Sequence, residues 1–357
     1  MITEYLKEVD RSALHPVSWA DAGVVLLDQR QLPERECYLH LSTAESVAEA
    51  IGDMVVRGAP AIGLAAAYGA VLAARSITSV ASPDHWLRQF STALQSLADS
   101  RPTAVNLAWA LAKMEHQAAQ LLAAGEERVA DHLRCFADQL LADDLAQGEQ
   151  MARLGADWIE PGSNLLTHCN AGGLATGGVG TALGVVNRAW RQGNIKQVYV
   201  SETRPWLQGS RLTAWELQRQ GMRPCLLVEG AVAALLREKS VQWLIVGADR
   251  IAANGDVANK IGTYGAALLA RQHGVRVMVV APTSTIDLAC GSGAEIEIEQ
   301  RDREEVTRVG SVNIAPEQTA VWNPVFDITP AANIDLLVTE KGILERPCEA
   351  EIRSLFG

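Results

Sequence analysis

The chain is short of several things that would direct its reading elsewhere. Its six cysteines, Cys37, Cys135, Cys169, Cys225, Cys290 and Cys348, lie far apart. With no C-x-x-C pair and no Cys/His spacing of a zinc site, neither a disulfide framework nor a structural metal is expected. Positive charge is scarce: 31 Lys and Arg stand against 42 Asp and Glu, a formal net charge of -11. No basic stripe interleaved with aromatics marks a nucleic-acid surface. No apolar stretch approaches the roughly 20 residues that cross a bilayer, and no charged region followed by an apolar one opens the chain. The expectation is a cytoplasmic protein with no membrane or nucleic-acid partner. What remains is globular, since 357 residues at 48% hydrophobic give room for one large or two ordinary domains.

From Ser42 to about Gln150 the chain is alanine-rich with helical periodicity, opened by a capping box at Ser42 and Glu45 and punctuated by Pro60 and Pro102. Ahead of it, Val24 to Leu27 and Cys37 to Leu41 are short apolar or alternating runs, which predict a small antiparallel element. Beyond Pro161 and Gly162 the texture changes. Short apolar runs (Leu165 to Thr167, Val198 to Val200, Leu226 to Val228, Leu244 to Val246, Val277 to Val280, Leu336 to Val338) alternate with helix-like segments. That alternation predicts a parallel sheet wrapped by helices. The fold class is therefore α/β, with a mainly helical domain over residues 1–150 and a sheet domain over 151–357.

Ionisable and hydroxyl groups gather where these runs end: His168-Cys169-Asn170, Ser201-Glu202-Thr203-Arg204, Glu229-Gly230, Gly247-Ala248-Asp249-Arg250, Pro282-Thr283-Ser284 and Glu340-Lys341. Ligands of open α/β sheets bind outside the carboxyl ends of the strands, so these loops are expected to share one crevice. A lone cysteine is ordinarily a small buried hydrophobe. Cys169, however, stands at a strand end before the glycine-rich run Gly172 to Gly178, too rich in glycine to be chosen for packing. A thiol near a helix N-terminus also feels the dipole that can make it a usable base or nucleophile. Asp249 follows an apolar strand and precedes the tight turn Asn254-Gly255. Its bland reading is a pair with Arg250 or a helix cap, but adjacent residues of an extended segment point to opposite sides, which makes the pair awkward.

A phosphate needs cations and unpaired backbone N–H groups, and helix N-termini supply the second. Arg57-Gly58-Ala59-Pro60 sets an arginine before a helix expected to begin at Pro60, and Arg101-Pro102-Thr103 repeats the arrangement. Gln208 and Lys260 offer a donor and a further cation, or are plain exposed polar residues. A strand, a glycine-rich turn, a helix, a second strand and then Glu202 also resemble a dinucleotide-binding unit. Against it, Cys169-Asn170-Ala171 intervenes, and Gly178, Gly180 and Gly184 have the wrong spacing for G-x-G-x-x-G. The seven histidines form no metal constellation, and the G-x-S-x-G elbow of a serine hydrolase is missing. Trp206 and Trp215 flank Gln208 as packing residues, with Trp206 placed to wall a substrate's apolar end.

Taken together, the segments Met54 to Gly63, Arg101 to Leu107, His168 to Gly184, Glu202 to Pro205, Leu207 to Leu217, Gly247 to Tyr264, Ala281 to Asp287 and Asn323 to Pro330 resemble the methylthioribose-1-phosphate isomerase family. That family shares ancestry with the regulatory subunits of initiation factor two B. The resemblance implies a helical N-terminal domain on a Rossmann-like parallel-sheet C-terminal domain, a homodimer, and a sugar phosphate as substrate. It places the catalytic pair on Cys169 and Asp249, and phosphate or substrate binding on Arg57, Gly58, Ala59, Arg101, Gln208, Asn259 and Lys260.

The implied chemistry needs both catalytic groups. With its anomeric oxygen esterified, the sugar cannot open unaided. An acid, Asp249, must protonate the ring oxygen, while Cys169 manages hydrogen at C2, as base in an enolate-like route or as acceptor of the C2 hydroxyl proton during a hydride shift. Neither route needs a metal or organic cofactor. The sequence departs from the family pattern at Val179, Ser201 and Glu229-Gly230, which leaves isomerases of 5-deoxyribose 1-phosphate or ribose 1,5-bisphosphate as alternatives, beside a non-catalytic sugar-phosphate-binding regulatory subunit.

Overall fold

The computed structural model describes residues 14–77, 82–102 and 104–357, so Thr103 of the second arginine motif lies outside the described residues. The chain forms two compact units. One takes residues 1–149 together with 172–180, and the other takes 150–171 and 181–357.

The first unit opens with an antiparallel sheet of three strands, β1 (Val17–Ala20), β2 (Gly23–Leu27) and β3 (Tyr38–Leu41), one strand more than the hydrophobic runs predict. Helix α1 (Ala44–Gly52) follows, and its capping box is Thr43 with Ser46, not Ser42 with Glu45. Either hydroxyl can cap a helix, and the register that buries Ala44, Val47, Ala50 and Ile51 selects Thr43. Helices α2 (Ala59–Ser76), α3 (Pro83–Asp99), α4 (Val105–Ala123) and α5 (Val129–Ala156) complete this region, the last turns of α5 belonging to the second unit. The α2 helix starts at Ala59, one residue before the predicted Pro60. By length and apolar composition it meets the requirement for crossing a membrane, contrary to the sequence expectation. Alanine is its commonest residue, and the helix is largely buried in one hydrophobic core.

The second unit is built on a seven-stranded sheet of β4 (Ser163–Thr167), β5 (Ile195–Ser201), β6 (Cys225–Leu227), β7 (Trp243–Val246), β10 (Arg276–Val280), β15 (Leu336–Thr339) and β16 (Gly342–Glu345), in the order β16-β15-β10-β7-β4-β5-β6. Only β16 runs antiparallel to its neighbour. Side chains alternate between the two faces, as a sheet covered on both sides requires. Leu165, Trp243, Ile245, Met278 and Val280 enter one core, while Leu166, Leu244, Val246, Val277 and Val279 enter the other. Helices α6 (Ala182–Arg191), α7 (Ala214–Arg219), α8 (Val232–Glu238) and α9 (Thr263–Gln272) connect the strands. A smaller sheet joins β8 (Arg250–Ala252), β9 (Val257–Lys260), β11 (Ile286–Asp287) and β14 (Phe326–Thr329), and β12 (Arg308–Val309) pairs with β13 (Val312–Asn313).

The strand order fixes the position of the site. From β4 the chain builds outward through β5 and β6, then returns to the other side of β4 for β7, β10 and β15. The gap between the carboxyl ends of β4 and β7 is therefore the topological switch point, where open α/β sheets leave a crevice.

Candidate active site

Cys169 and Asp249 follow the two strands that border this switch point. Gly247, at the end of β7, makes their approach possible, because a β-carbon there would stand 2.7 Å from Cβ of Ala171 and 3.4 Å from Oγ1 of Thr181. The two turns can come this close only without a side chain at position 247.

Cys169 is buried and takes a left-handed backbone conformation, φ 64°, uncommon for a residue with a β-carbon. Its N–H donates to Oγ1 of Thr203 at 2.8 Å, and its carbonyl accepts from Oγ1 of Thr213 at 2.6 Å. The neighbouring Asn170 donates through Nδ2 to Oγ1 of Thr213 at 3.2 Å and to Oε1 of the buried Glu216 at 2.8 Å. Thr213 closes a π-helical turn, Gly209–Thr213, that leads into α7. Gly209 rests on the end of β5 so closely that a β-carbon would lie 1.7 Å from the Ser201 carbonyl oxygen. No side chain fits there, and this contact places Gln208 at the carboxyl end of β5.

His168 is buried beside the thiol, and burial pushes its pKa down to about 4, so the imidazole is neutral. Nε2 lies 2.8 Å from the Ile261 carbonyl and Nδ1 2.9 Å from Oγ of Ser201. A carbonyl only accepts, so Nε2 carries the proton and Nδ1 accepts from the serine hydroxyl. Ser201, one of the departures from the family pattern, is thus committed to bracing His168. Glu229, a second departure, accepts the Arg204 N–H at 2.6 Å, and burial raises its pKa. Val179, the third, packs against Gly148, where a β-carbon would meet its Cβ at 2.9 Å.

Asp249 is half-buried. Its N–H donates to the Ala258 carbonyl at 2.9 Å, which ties it to β9 and so to Asn259 and Lys260. Arg250 does not pair with it. The guanidinium instead pairs with Asp287, Nε to Oδ2 at 3.1 Å, as the opposite directions of adjacent strand residues require. The turn at Asn254-Gly255 forms as expected, Gly255 taking φ 92° between β8 and β9. Asn259 and Lys260 are buried. Nδ2 of Asn259 reaches Oγ1 of Thr263 at 3.1 Å, that hydroxyl donates to the Lys260 carbonyl at 2.6 Å, and Nζ of Lys260 lies 4.4 Å from the Phe326 ring centroid. Asp327 closes the far side by accepting from N–H of Gly262 and Tyr264 at 2.7 and 3.0 Å, and burial raises its pKa to about 6.

Gln208 is buried too, and its Oε1 has no hydrogen-bond partner among the described residues. An orphaned amide in a strand-end loop is suited to a ligand's polar groups. Gln208 and Lys260 are therefore not the exposed polar residues of the bland reading. Trp206 is engaged by the Arg211 guanidinium, 4.3 Å from its ring centroid.

In the first unit, Arg57 is buried immediately before Gly58, which takes φ 95° and caps α2 ahead of Ala59. A β-carbon on Gly58 would lie 2.5 Å from Cα of Ala175. Arg101 is half-buried near the start of α4. The glycine run after Cys169 proves to be a packing device in part, contrary to the sequence reading. A β-carbon on Gly173 would stand 2.3 Å from the Gly178 carbonyl oxygen, so the loop folds on itself. Asp144 of α5 holds the loop by accepting the Gly177 N–H at 2.6 Å, and burial lifts its pKa to about 6.

The sequence reading placed Asn170 and Thr203 at the strand ends without giving either a role, and it missed Thr213, Glu216 and Asp327. Hydroxyls and amides carry no periodic signal, and only the crossing of β5 and the π-helical turn brings Thr213 to Cys169. Among the described residues, no cluster of three or more His, Cys, Asp or Glu could hold a metal ion.

Comparison with known proteins shows the family to which the chain belongs. The profile of the initiation factor 2 subunit family matches residues 55–346. Methylthioribose-1-phosphate isomerase of Thioalkalivibrio sulfidiphilus is 53% identical over 340 residues, 95% of this chain and 96% of that protein. The crystal structure of 5-methylthioribose 1-phosphate isomerase from Pyrococcus horikoshii OT3 is 40% identical with a TM-score of 0.86, covering 96% of this chain and 95% of that one. The structure titled translation initiation factor eIF-2B, subunit delta, from A. fulgidus is 39% identical with a TM-score of 0.83, covering 96% and 99%. The chain belongs to the initiation factor 2 subunit family and, by its full-length relatives, to the methylthioribose-1-phosphate isomerases within it.

Proposed function

We propose that the protein is an aldose–ketose isomerase that converts 5-methylthioribose 1-phosphate to 5-methylthioribulose 1-phosphate, a step of methionine salvage. The observation that carries this reading is the pair Cys169 and Asp249 on the two strands bordering the switch point. Asp249, half-buried, donates the proton that the ring oxygen takes up as the C1–O bond breaks. Cys169 takes hydrogen at C2, as base toward the C–H bond or as acceptor of the hydroxyl proton while hydride passes to C1. Either way C1 gains a hydrogen, C2 becomes the ketone and the phosphate stays in place.

Lys260, Asn259 and Gln208 line the same strand ends and bind the sugar phosphate, a buried ammonium and amides being suited to an anionic, hydroxyl-rich ligand. Arg57, Gly58, Ala59 and Arg101 are assigned to phosphate binding on the family likeness. Ser201, Val179 and Glu229 are each engaged internally, so their departure from the family pattern does not argue for a different C5 group. Retention of both a thiol and a carboxylate favours catalysis over the non-catalytic regulatory role that the family likeness leaves as an alternative. The protein is further proposed to act in the cytoplasm as a homodimer. Leu226 on the edge strand β6 and Val228 beside it are exposed apolar side chains suited to an interface, and light scattering would then give twice 38.3 kDa.

The test is turnover. Purified protein with methylthioribose 1-phosphate is expected to yield the ketose by NMR, and in a panel of C5-substituted ribose 1-phosphates the methylthio compound is expected to have the highest kcat/KM. No ketose, or a higher kcat/KM for the 5-deoxy or 5-phospho substrate, overturns the assignment.

A further inference from the structure

We propose that Thr203 and Thr213 are positioning residues that hold the Cys169 backbone in its left-handed conformation and thereby aim the thiol at C2 of the substrate. The inference rests on the isomerase reading and extends it to two residues outside the reacting set.

A β-carbon crowds the backbone when φ is positive, and such a conformation costs on the order of 1–3 kcal/mol unless the surroundings hold it. At Cys169 the surroundings hold both flanking peptide groups. Thr203 Oγ1 accepts the Cys169 N–H at 2.8 Å and passes its own hydrogen to the Ser201 carbonyl at 3.0 Å. On the other side the hydrogens have a fixed direction. The two hydrogens on Nδ2 of Asn170 go to Oε1 of Glu216 and Oγ1 of Thr213. Because Thr213 Oγ1 receives one of them, its own hydrogen is left for the Cys169 carbonyl, 2.6 Å away. Both threonines are wholly buried, at 0% exposure, so water cannot replace either hydroxyl.

Loss of a hydroxyl would leave a buried peptide group unsatisfied. Cys169 relieves this most cheaply by returning to negative φ, which swings the thiol to a new direction. A displacement of about 1 Å at a reacting group costs on the order of 100-fold in rate, so the effect belongs in kcat and not in binding.

The experiment compares Thr203→Val and Thr213→Val, which keep the shape and remove the hydroxyl, with Thr203→Ser and Thr213→Ser, which restore it. Melting temperature, kcat and KM for methylthioribose 1-phosphate are measured, along with the rate at which iodoacetamide alkylates Cys169, read from its peptide by mass spectrometry. The valine variants are expected to lose about 10- to 100-fold in kcat, with KM within about twofold, and to change the alkylation rate of Cys169. The serine variants are expected to recover both. Valine variants that fold and keep kcat and alkylation near wild type overturn the proposal. A parallel loss of melting temperature, kcat and KM that serine does not repair overturns it as well. Should a valine variant not fold, Thr203→Ala and Thr213→Ala are read in the same way. If the wild type itself turns over no methylthioribose 1-phosphate, the isomerase reading fails, and the alkylation rates alone decide whether the threonines aim the thiol.

Discussion

The turns after β4 and β7, which carry the two proposed reacting groups, are built in opposite ways. Cys169 is buried, held at positive φ, and bonded to a threonine hydroxyl on each side of its backbone. Asp249 is half-buried at the start of an ordinary β-hairpin, and its backbone N–H bonds to the Ala258 carbonyl across it. The difference suits the two tasks proposed for them. Moving hydrogen at a particular carbon depends on direction, which a strained and braced backbone supplies. Protonating an oxygen that is leaving a ring needs a group able to reach the ligand, for which a less confined carboxylate is suited.

The largest expected effect follows from removing either group. Cys169→Ser and Asp249→Asn should each fold, judged by thermal melting, and each lose on the order of 100- to 10,000-fold in kcat. Near wild-type turnover in either variant ends the comparison, since one of the two turns would then have no catalytic task. Next, Gly209→Ala forces a β-carbon onto the Ser201 carbonyl, 1.7 Å away. A cost of about 4 kcal/mol or more is expected by denaturant unfolding, because backbone cannot yield as a side-chain tip can. A cost under about 1 kcal/mol would mean that the cradle around Cys169 is soft.

His168 comes third. Its pKa falls from the ordinary 6.5 to about 4 on burial, so the folded state favours the neutral ring. The stability it contributes is present above pH 6.5 and is lost as pH falls from 6.5 through 4, by about 3 kcal/mol in all. Asp144 and Asp327, raised from 3.8 to about 6 by burial, act in the opposite sense and lose their contribution as pH rises through 6. The informative quantity is therefore the stability difference between wild type and His168→Asn, which should shrink by about that 3 kcal/mol between pH 7 and pH 4. A difference independent of pH would show that the imidazole titrates normally. The smallest effect is expected beside Asp249. Asp287→Asn breaks the Arg250 pair, and since both partners are partly exposed the cost should be about 1 kcal/mol or less, with turnover within an order of magnitude of wild type. A larger loss of turnover would make Arg250 and Asp287 part of the support for the acid.

Much of the second unit could be read directly from its residues. Runs such as Leu244 to Val246 and Val277 to Val280 are apolar on both faces because both faces are covered, and a polar group after such a run must sit at a sheet edge. Cys169 and Asp249 were legible for that reason. The register of α1 was not, since Ser42 and Thr43 cap equally well until burial chooses between them. Nor was β1, whose alternation is too short to distinguish from a loop. The glycines after Cys169 were read as too many to serve packing, yet part of their use is packing, since the loop folds on itself at Gly173 and Gly178.

By itself, the sequence determined the α/β class, the parallel strands of the main sheet and the strand-end positions of the two proposed reacting groups, because hydrophobic periodicity and strand-end chemistry are local properties of the chain. Tertiary structure alone decided the order of the strands that makes β4 and β7 neighbours, the contact that commits Ser201 to His168, and the meeting of Thr203 and Thr213 on either side of Cys169. These are pairings between residues far apart in the chain, selected by which arrangement buries apolar surface while leaving buried polar groups bonded, and no local pattern encodes that choice.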